Sequence, residues 1–456
     1  MTPIDGDSPT PAAPRGLLSR SSSALGRLTG GLTANSFARS VLVLLAGGAL
    51  GQVIGVAASP VITRLYPPHD FGILAVYTSI LSLLSVGASL RFEQAIPMPA
   101  KDEDGRHLLA VALTANVILG IITFLAVAVL GDRIAQWTNA PGLMPWLWFL
   151  PLSVMSLGAF EALSFWAVRM REFSLIARGK ITQNASQVIT QISFGLLGFG
   201  PAGLLAGDAG SRLAAVLQIA RLLSRPGAIL SGVTRSGMRA VAVSYRRFAM
   251  VSTTSGLVNS AVVNLPNLIL AALYGPAAAG YFALGRLVVF APFGVLGQSI
   301  GRVYLSRVTR ARYEAPWSLM DLMSKVTQRL SLALPLFAIL MIIAPDFFRI
   351  LFGPTWSEVG HYTQILIPAL ALDFILQTTS VLVPLGFVWH MLAWDVFRTV
   401  TALGGILIAH AAGRDARTAI LVYSLALCFS YIVLFLTNVR LIRTRFPHHA
   451  PASTTP

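Results

Sequence analysis

The chain has 456 residues, of which 55% are hydrophobic and 11% charged, and a formal net charge of +16. No water-soluble core needs that much apolar surface, so the composition excludes an ordinary globular domain and points to spans of roughly 20 apolar residues. A single cysteine, Cys428, excludes a disulfide framework and a Cys/His metal cluster.

Residues 1–36 are rich in Pro, Ser, Gly and Thr, carry Arg15, Arg20 and Arg27, and hold no sustained apolar run. They are expected to form a disordered cytoplasmic tail. The first apolar run begins near Ser40 and is span-length, which argues against a cleavable signal peptide. Twelve spans follow, at roughly 39–62, 72–92, 108–130, 145–167, 181–199, 202–220, 249–273, 279–303, 328–345, 362–388, 394–412 and 418–438. The fold class expected is an all-α polytopic membrane protein.

A cassette repeats within this series. Leu65-Tyr66-Pro67-Pro68-His69-Asp70-Phe71-Gly72 returns in degraded form as Leu273-Tyr274-Gly275-Pro276-Ala277-Ala278-Ala279-Gly280. Each copy sits between two apolar runs and reads as a Pro/Gly-capped turn. Two related halves in a membrane suggest a transporter that rocks around a midplane site. The expected division is residues 37–220 and 249–438 as two six-helix bundles, 221–248 as a cytoplasmic linker and 439–456 as a cytoplasmic tail.

With the N-terminus in the cytoplasm, the periplasmic side holds only Arg64, Arg133, Arg349, Arg414 and Arg417. Arg212 and Arg286 remain inside spans, and the rest of the 34 Lys and Arg are cytoplasmic. The positive-inside rule therefore puts both termini in the cytoplasm. The same asymmetry explains the basic net charge. It favours anionic membrane lipid, and no interleaved aromatic platform marks a nucleic-acid site.

Ionisable and polar residues inside spans are the candidates for function. Arg286 lies several residues into span eight and suits a phosphate. Arg91, at the cytoplasmic end of span two, could guard an inward mouth. Span seven carries Ser252, Ser255, Asn259, Asn264 and Asn267, a polar sector broad enough to line a cavity, with Pro266 expected to kink its outer end. Polar residues of span five, Gln183 to Gln191, are expected to pack within the first bundle. Asp208 and Arg212 are spaced i, i+4, acid first, as in a self-neutralised helical pair. Glu161 and Asp373 lack a partner near in sequence and are the candidates for H+ or Na+ coupling.

Enzyme chemistry finds no motif: there is no Gly-x4-Gly-Lys-Ser/Thr loop, no HExxH and no ordered Ser/His/Asp set. His361, His390 and His410 are isolated. No catalytic residue, metal site or cofactor is expected.

Four stretches carry a family resemblance. They are Ser59-Pro60-Val61-Ile62-Thr63-Arg64 with the first cassette; Arg91-Phe92-Glu93-Gln94-Ala95-Ile96-Pro97; Phe165-Trp166-Ala167-Val168-Arg169 through Phe173 to Gln183; and Ala344-Pro345 followed by Ile350-Leu351-Phe352-Gly353-Pro354-Thr355-Trp356. In this order on a twelve-span frame the chain resembles the bacterial oligosaccharide flippases of the multidrug/oligosaccharidyl-lipid/polysaccharide (MOP) exporter superfamily. Phe92 stands where such sequences often carry Tyr. The resemblance implies two six-helix bundles around a cavity lined by spans one, two, seven and eight, in the bacterial inner membrane. It implies an undecaprenyl-pyrophosphate-linked oligosaccharide as substrate, moved to the periplasmic leaflet for O-antigen, capsule or exopolysaccharide synthesis. A polysaccharide polymerase and a chain-length regulator are the partners it brings to mind. The substrate-binding set is then Arg286, Arg91, Asn259, Asn264, Asn267 and Ser255. The alternatives are a multidrug exporter of the same superfamily and a membrane glycosyltransferase or polymerase of the same pathway.

Overall fold

The computed structural model describes residues 50–223 and 229–446. The expected N-terminal tail, the start of span one and the last residues of the C-terminal tail lie outside them. Among the described residues the regular structure is helical throughout. The first half comprises α1 (Leu50–Leu65), α2 (Pro68–Ala88), α3 (Asp102–Trp137), α4 (Leu150–Arg169), α5 (Phe173–Leu196) and α6 (Pro201–Leu223). The second comprises α7 (Arg235–Tyr274), α8 (Pro276–Gly285), α9 (Ala291–Glu314), α10 (Leu319–Ser331), α11 (Leu334–Phe352), α12 (Ser357–Leu372), α13 (Val388–Ala411) and α14 (Ala416–Arg445). A π-helical turn, Arg286–Phe290, joins α8 to α9, and α10 runs on into α11. The fourteen helices therefore make twelve rods, as the span pattern predicts. Eight helices are long and apolar enough to cross a membrane by length and composition, or nine with the bent α8–α9 pair. The chain is an all-α polytopic membrane protein.

Local chemistry sets the breaks. Pro68, Pro201 and Pro276 open their helices, where a missing N–H costs nothing. Gly275 (φ 87°) and Gly353 (φ 98°) stop α7 and α11 in a conformation that needs glycine. Two expectations need correction. Span ten does not reach residue 388: a π turn, Asp373–Gln377, ends it, and Pro384 with the left-handed Gly386 keeps the following stretch non-helical. Pro266 lies inside α7, which runs unbroken from Arg235 to Tyr274. The segment expected to be linker up to residue 248 is helical from Arg235 onward.

That extension has a job in the packing. Val241 and Ala249 of α7 join Phe92, Ile96, Leu108, Leu109 and Trp166 of the first half in one apolar cluster. At its start, the Thr234 N–H donates to Nε2 of the buried His107 at 3.2 Å. Elsewhere the helices pair mainly with close neighbours in sequence: α5 with α6, α3 and α6 with α4, α11 with α12, and α13 with α14. The main exception is α2, which packs on both α7 and α8 and, with α3 against α7, carries the contact between the halves.

The repeated cassettes meet at that contact. A Cβ on Gly72 would fall 1.8 Å from the Pro276 carbonyl oxygen, and one on Gly280 would fall 2.3 Å from that of Pro68. Both copies therefore lie on one face of the molecule and touch reciprocally. Trp356, 1% exposed, reinforces this end: its indole N–H donates to Thr63 O at 2.9 Å and its ring meets Phe71 edge-on.

Candidate functional site

The contact of α7 with α2 and the turn after it is stitched by two side chains that the sequence offered as cavity lining, Asn267 and Ser252, and by Ser260. Asn267 Nδ2 donates to Ser79 Oγ at 3.0 Å, Ser260 Oγ to Ser82 O at 3.1 Å, and Ser252 Oγ to Gln94 Oε1 at 2.9 Å. Asn264 donates to Ser260 O within its own helix at 2.9 Å. Asn264 and Asn267 are thus half-buried and engaged in hydrogen bonds between and along helices. Periodicity marked a polar sector on α7 without revealing that α2 covers part of it.

Ser255 and Asn259 remain exposed on α7. Val263, one turn beyond Asn259 on the same face, is exposed too, and its carbonyl accepts a 2.6 Å hydrogen bond from Arg286 Nη1. Arg286 also lies over the Phe282 ring, with 5.7 Å between guanidinium carbon and centroid. It is half-buried, and among the described residues no carboxylate stands within ion-pair distance of it. The π-helical turn that begins at Arg286 is a distortion often found at functional sites. A guanidinium held by one carbonyl and one aromatic face keeps donors free for an anion.

Arg91 stands farther along the same two helices. It follows α2 in the left-handed region (φ 59°), next to Leu90 (φ 48°), an uncommon conformation for two residues with side chains. Its guanidinium lies against Gly256 of α7, where a Cβ would approach Nη2 to 2.7 Å. Ser255, Asn259 and the Val263 carbonyl that holds Arg286 therefore follow one face of α7, and Arg91 meets the adjoining side at Gly256. Beside Arg91, the Glu93 side chain is buried with Oε2 unpartnered, and burial pushes its carboxyl up to about 7.

The two coupling candidates have different surroundings. Glu161 is half exposed, with Lys180 Nζ at 3.9 Å. Asp373 opens the second π turn and is hydrogen-bonded by the Tyr431 hydroxyl, with Arg398 and Arg286 as the surrounding positive charges. A cavity of about 420 Å³ against α9 is lined by Asp373, Gln377, Thr378, Ser380 and Tyr304, among others. Sequence reading missed Arg398, which is 8% exposed inside span eleven. Its guanidinium donates to Asp395 Oδ1 at 3.1 Å and to Gln377 Oε1 at 3.4 Å, and lies 4.6 Å from the Trp394 ring centroid. Only two intramembrane arginines were expected, and this is a third. The Asp395-x-x-Arg398 spacing within a span was the available signal.

Arg212 behaves as its spacing predicts. Its Nε and Nη2 donate to the two carboxylate oxygens of Asp208 at 2.9 and 2.8 Å; Asp208 is buried and Arg212 largely covered. Span five packs inward as expected: Gln191 Nε2 donates to Leu204 O at 3.1 Å and its carbonyl accepts from Tyr66.

Two halves joined along α2, with a half-exposed cation beside the contact, define the class. The fold is that of the MOP superfamily transporters. An inward-facing multidrug resistance MATE family transporter of that superfamily superposes with a TM-score of 0.58 at 16% identity, covering 89% of this chain and 94% of its own. The lipid II flippase MurJ, in an inward closed conformation, gives a TM-score of 0.68 at 10% identity, covering 88% and 92%. Identities this low speak for the fold alone. The sequence speaks for the family: a polysaccharide biosynthesis protein family model matches residues 61–361, and the chain belongs to that family. It is also 23% identical over 319 residues to the lipopolysaccharide biosynthesis protein WzxC of Escherichia coli K12, an alignment covering 69% of this chain and 62% of that relative's length.

Proposed function

We propose that the protein is a flippase for a lipid-linked oligosaccharide, undecaprenyl-pyrophosphate its carrier, working by alternating access between two six-helix bundles in the bacterial inner membrane with both termini cytoplasmic. A polyprenyl tail is at home in lipid, so the barrier lies in moving sugar and pyrophosphate through hydrocarbon, where each unsatisfied polar group costs several kcal/mol. The carrier must supply a wet, polar, cationic cleft.

Arg286 is the observation that carries the reading. It makes no ion pair among the described residues, with Asp373 as a more distant negative charge, and its contact on α7, Val263, shares a face with Ser255 and Asn259. Its role is to hold a pyrophosphate oxygen through forked hydrogen bonds. Ser255 and Asn259 contact sugar hydroxyls, and Arg91 sits at the cytoplasmic end of α2. Asp373, within its hydroxyl and guanidinium network, is the better placed of the two carboxylates for H+ or Na+ coupling. Family membership supports polysaccharide synthesis over drug export.

The test is complementation of a flippase-deficient strain at matched protein level. Arg286→Ala should insert normally and abolish surface polysaccharide, and Arg286→Lys should restore part of it. Full complementation by the alanine variant would return Arg286 to a packing role.

A further inference from the structure

A second cationic site lies at the far end of the last two helices. The C-terminal turns of α14 and the first turn of α13 enclose a cavity of about 490 Å³, lined by His390, Thr437, Arg440, Leu441, Thr444 and Arg445. Residues 437, 440/441 and 444/445 share one helix face. No carboxylate lines the cavity, and neither Arg440 nor Arg445 has an ion pair among the described residues. Two guanidinium groups without ion pairs, an imidazole and two hydroxyls around one half-open volume are donors in want of an oxyanion.

The surface leading to the cavity says what kind of anion. Along α14, Leu425, Phe429, Ile432 and Leu436 are exposed by 59, 57, 46 and 59%. They continue at helical spacing to Arg440, so an apolar stripe long enough for an acyl chain ends at the cationic mouth. On α13 the exposed Trp389, in the first turn, marks the level of a headgroup layer.

We infer that this cavity binds the phosphate of an anionic phospholipid, with an acyl chain along the Leu425–Leu436 stripe. The site is separate from Arg286 and independent of what the protein transports. On the positive-inside orientation it draws lipid from the cytoplasmic leaflet.

The experiment uses the full chain in detergent, titrated with phosphatidylglycerol, phosphatidylcholine or inorganic phosphate, with bound lipid counted by native mass spectrometry. Phosphatidylglycerol should bind the wild type well above phosphatidylcholine. The double variant Arg440→Gln/Arg445→Gln should bind it roughly thirtyfold more weakly, from the loss of two basic contacts. Arg443→Gln removes one charge from the same turns without touching the cavity lining, and should bind as wild type does. Both variants should melt as the wild type does without lipid, because the substituted side chains are exposed. Unchanged binding in the double variant would overturn the site. An equal loss in Arg443→Gln would reduce it to diffuse electrostatics. Displacement of the lipid by millimolar inorganic phosphate would make it a free-anion site.

Discussion

Arg212 on α6 and Arg286 at the end of α8 are both intramembrane arginines, yet they are treated oppositely. Arg212 is sealed in a two-point pair with Asp208, while Arg286 has one carbonyl, one aromatic face and an exposed flank. A membrane charge costs roughly 2.5–3.5 kcal/mol on insertion scales. The first half cancels that cost locally and gains rigidity. The second leaves Arg286 without an ion pair, as the proposed pyrophosphate site requires.

The strongest way to break the comparison is to remove one partner of the sealed pair. Asp208→Asn strands Arg212 and should destabilise the protein by about 3–5 kcal/mol. This would show as lost abundance and a lower melting temperature in detergent, with partial recovery in Asp208→Asn/Arg212→Gln. Arg286→Gln should leave the melting temperature unchanged. If both single variants melt alike, the two arginines are not different in kind.

Glu93 sharpens the comparison from the acidic side, because it is buried without a full partner. Its folded-state value of about 7 lies above its ordinary 4.5, so the folded protein binds more protons between those values. Stability from this group is present below pH 4.5 and is lost as pH rises through 7, by up to about 3 kcal/mol. Glu93→Gln should flatten that fall, measured as the difference in melting temperature between pH 5 and pH 8. An unchanged pH slope would mean that another group sets it.

The smallest effect concerns the amides of α7. Asn267→Ala removes a bond to Ser79 and should cost about 0.6 kcal/mol, the average for such contacts in membranes. Asn259→Ala should cost no stability and should reduce export instead. The reverse outcome would exchange their assignments.

What was legible in the sequence was local or periodic. The rods follow from apolar runs, the cassettes from direct identity, and the Asp208–Arg212 pair from its i, i+4 spacing. The hydrogen bonds of Asn264 and Asn267 are not legible there, because periodicity reports a face of α7 and not the partners that meet it. Arg398 was passed over because it lies only a turn inside span eleven, where a basic residue resembles an interfacial one. Trp356 reaching Thr63 across the molecule, and Tyr431 reaching Asp373, depend on long-range packing that no local pattern encodes.

The reciprocal contact of Gly72 with Pro276 and of Gly280 with Pro68 has the form of an isologous dimer interface, with the same patch used twice. Here both protomers are carried on one polypeptide. A covalent tether converts association into an intramolecular event at an effective concentration in the millimolar range. The cassette contact then need supply only a small part of what holds the halves together.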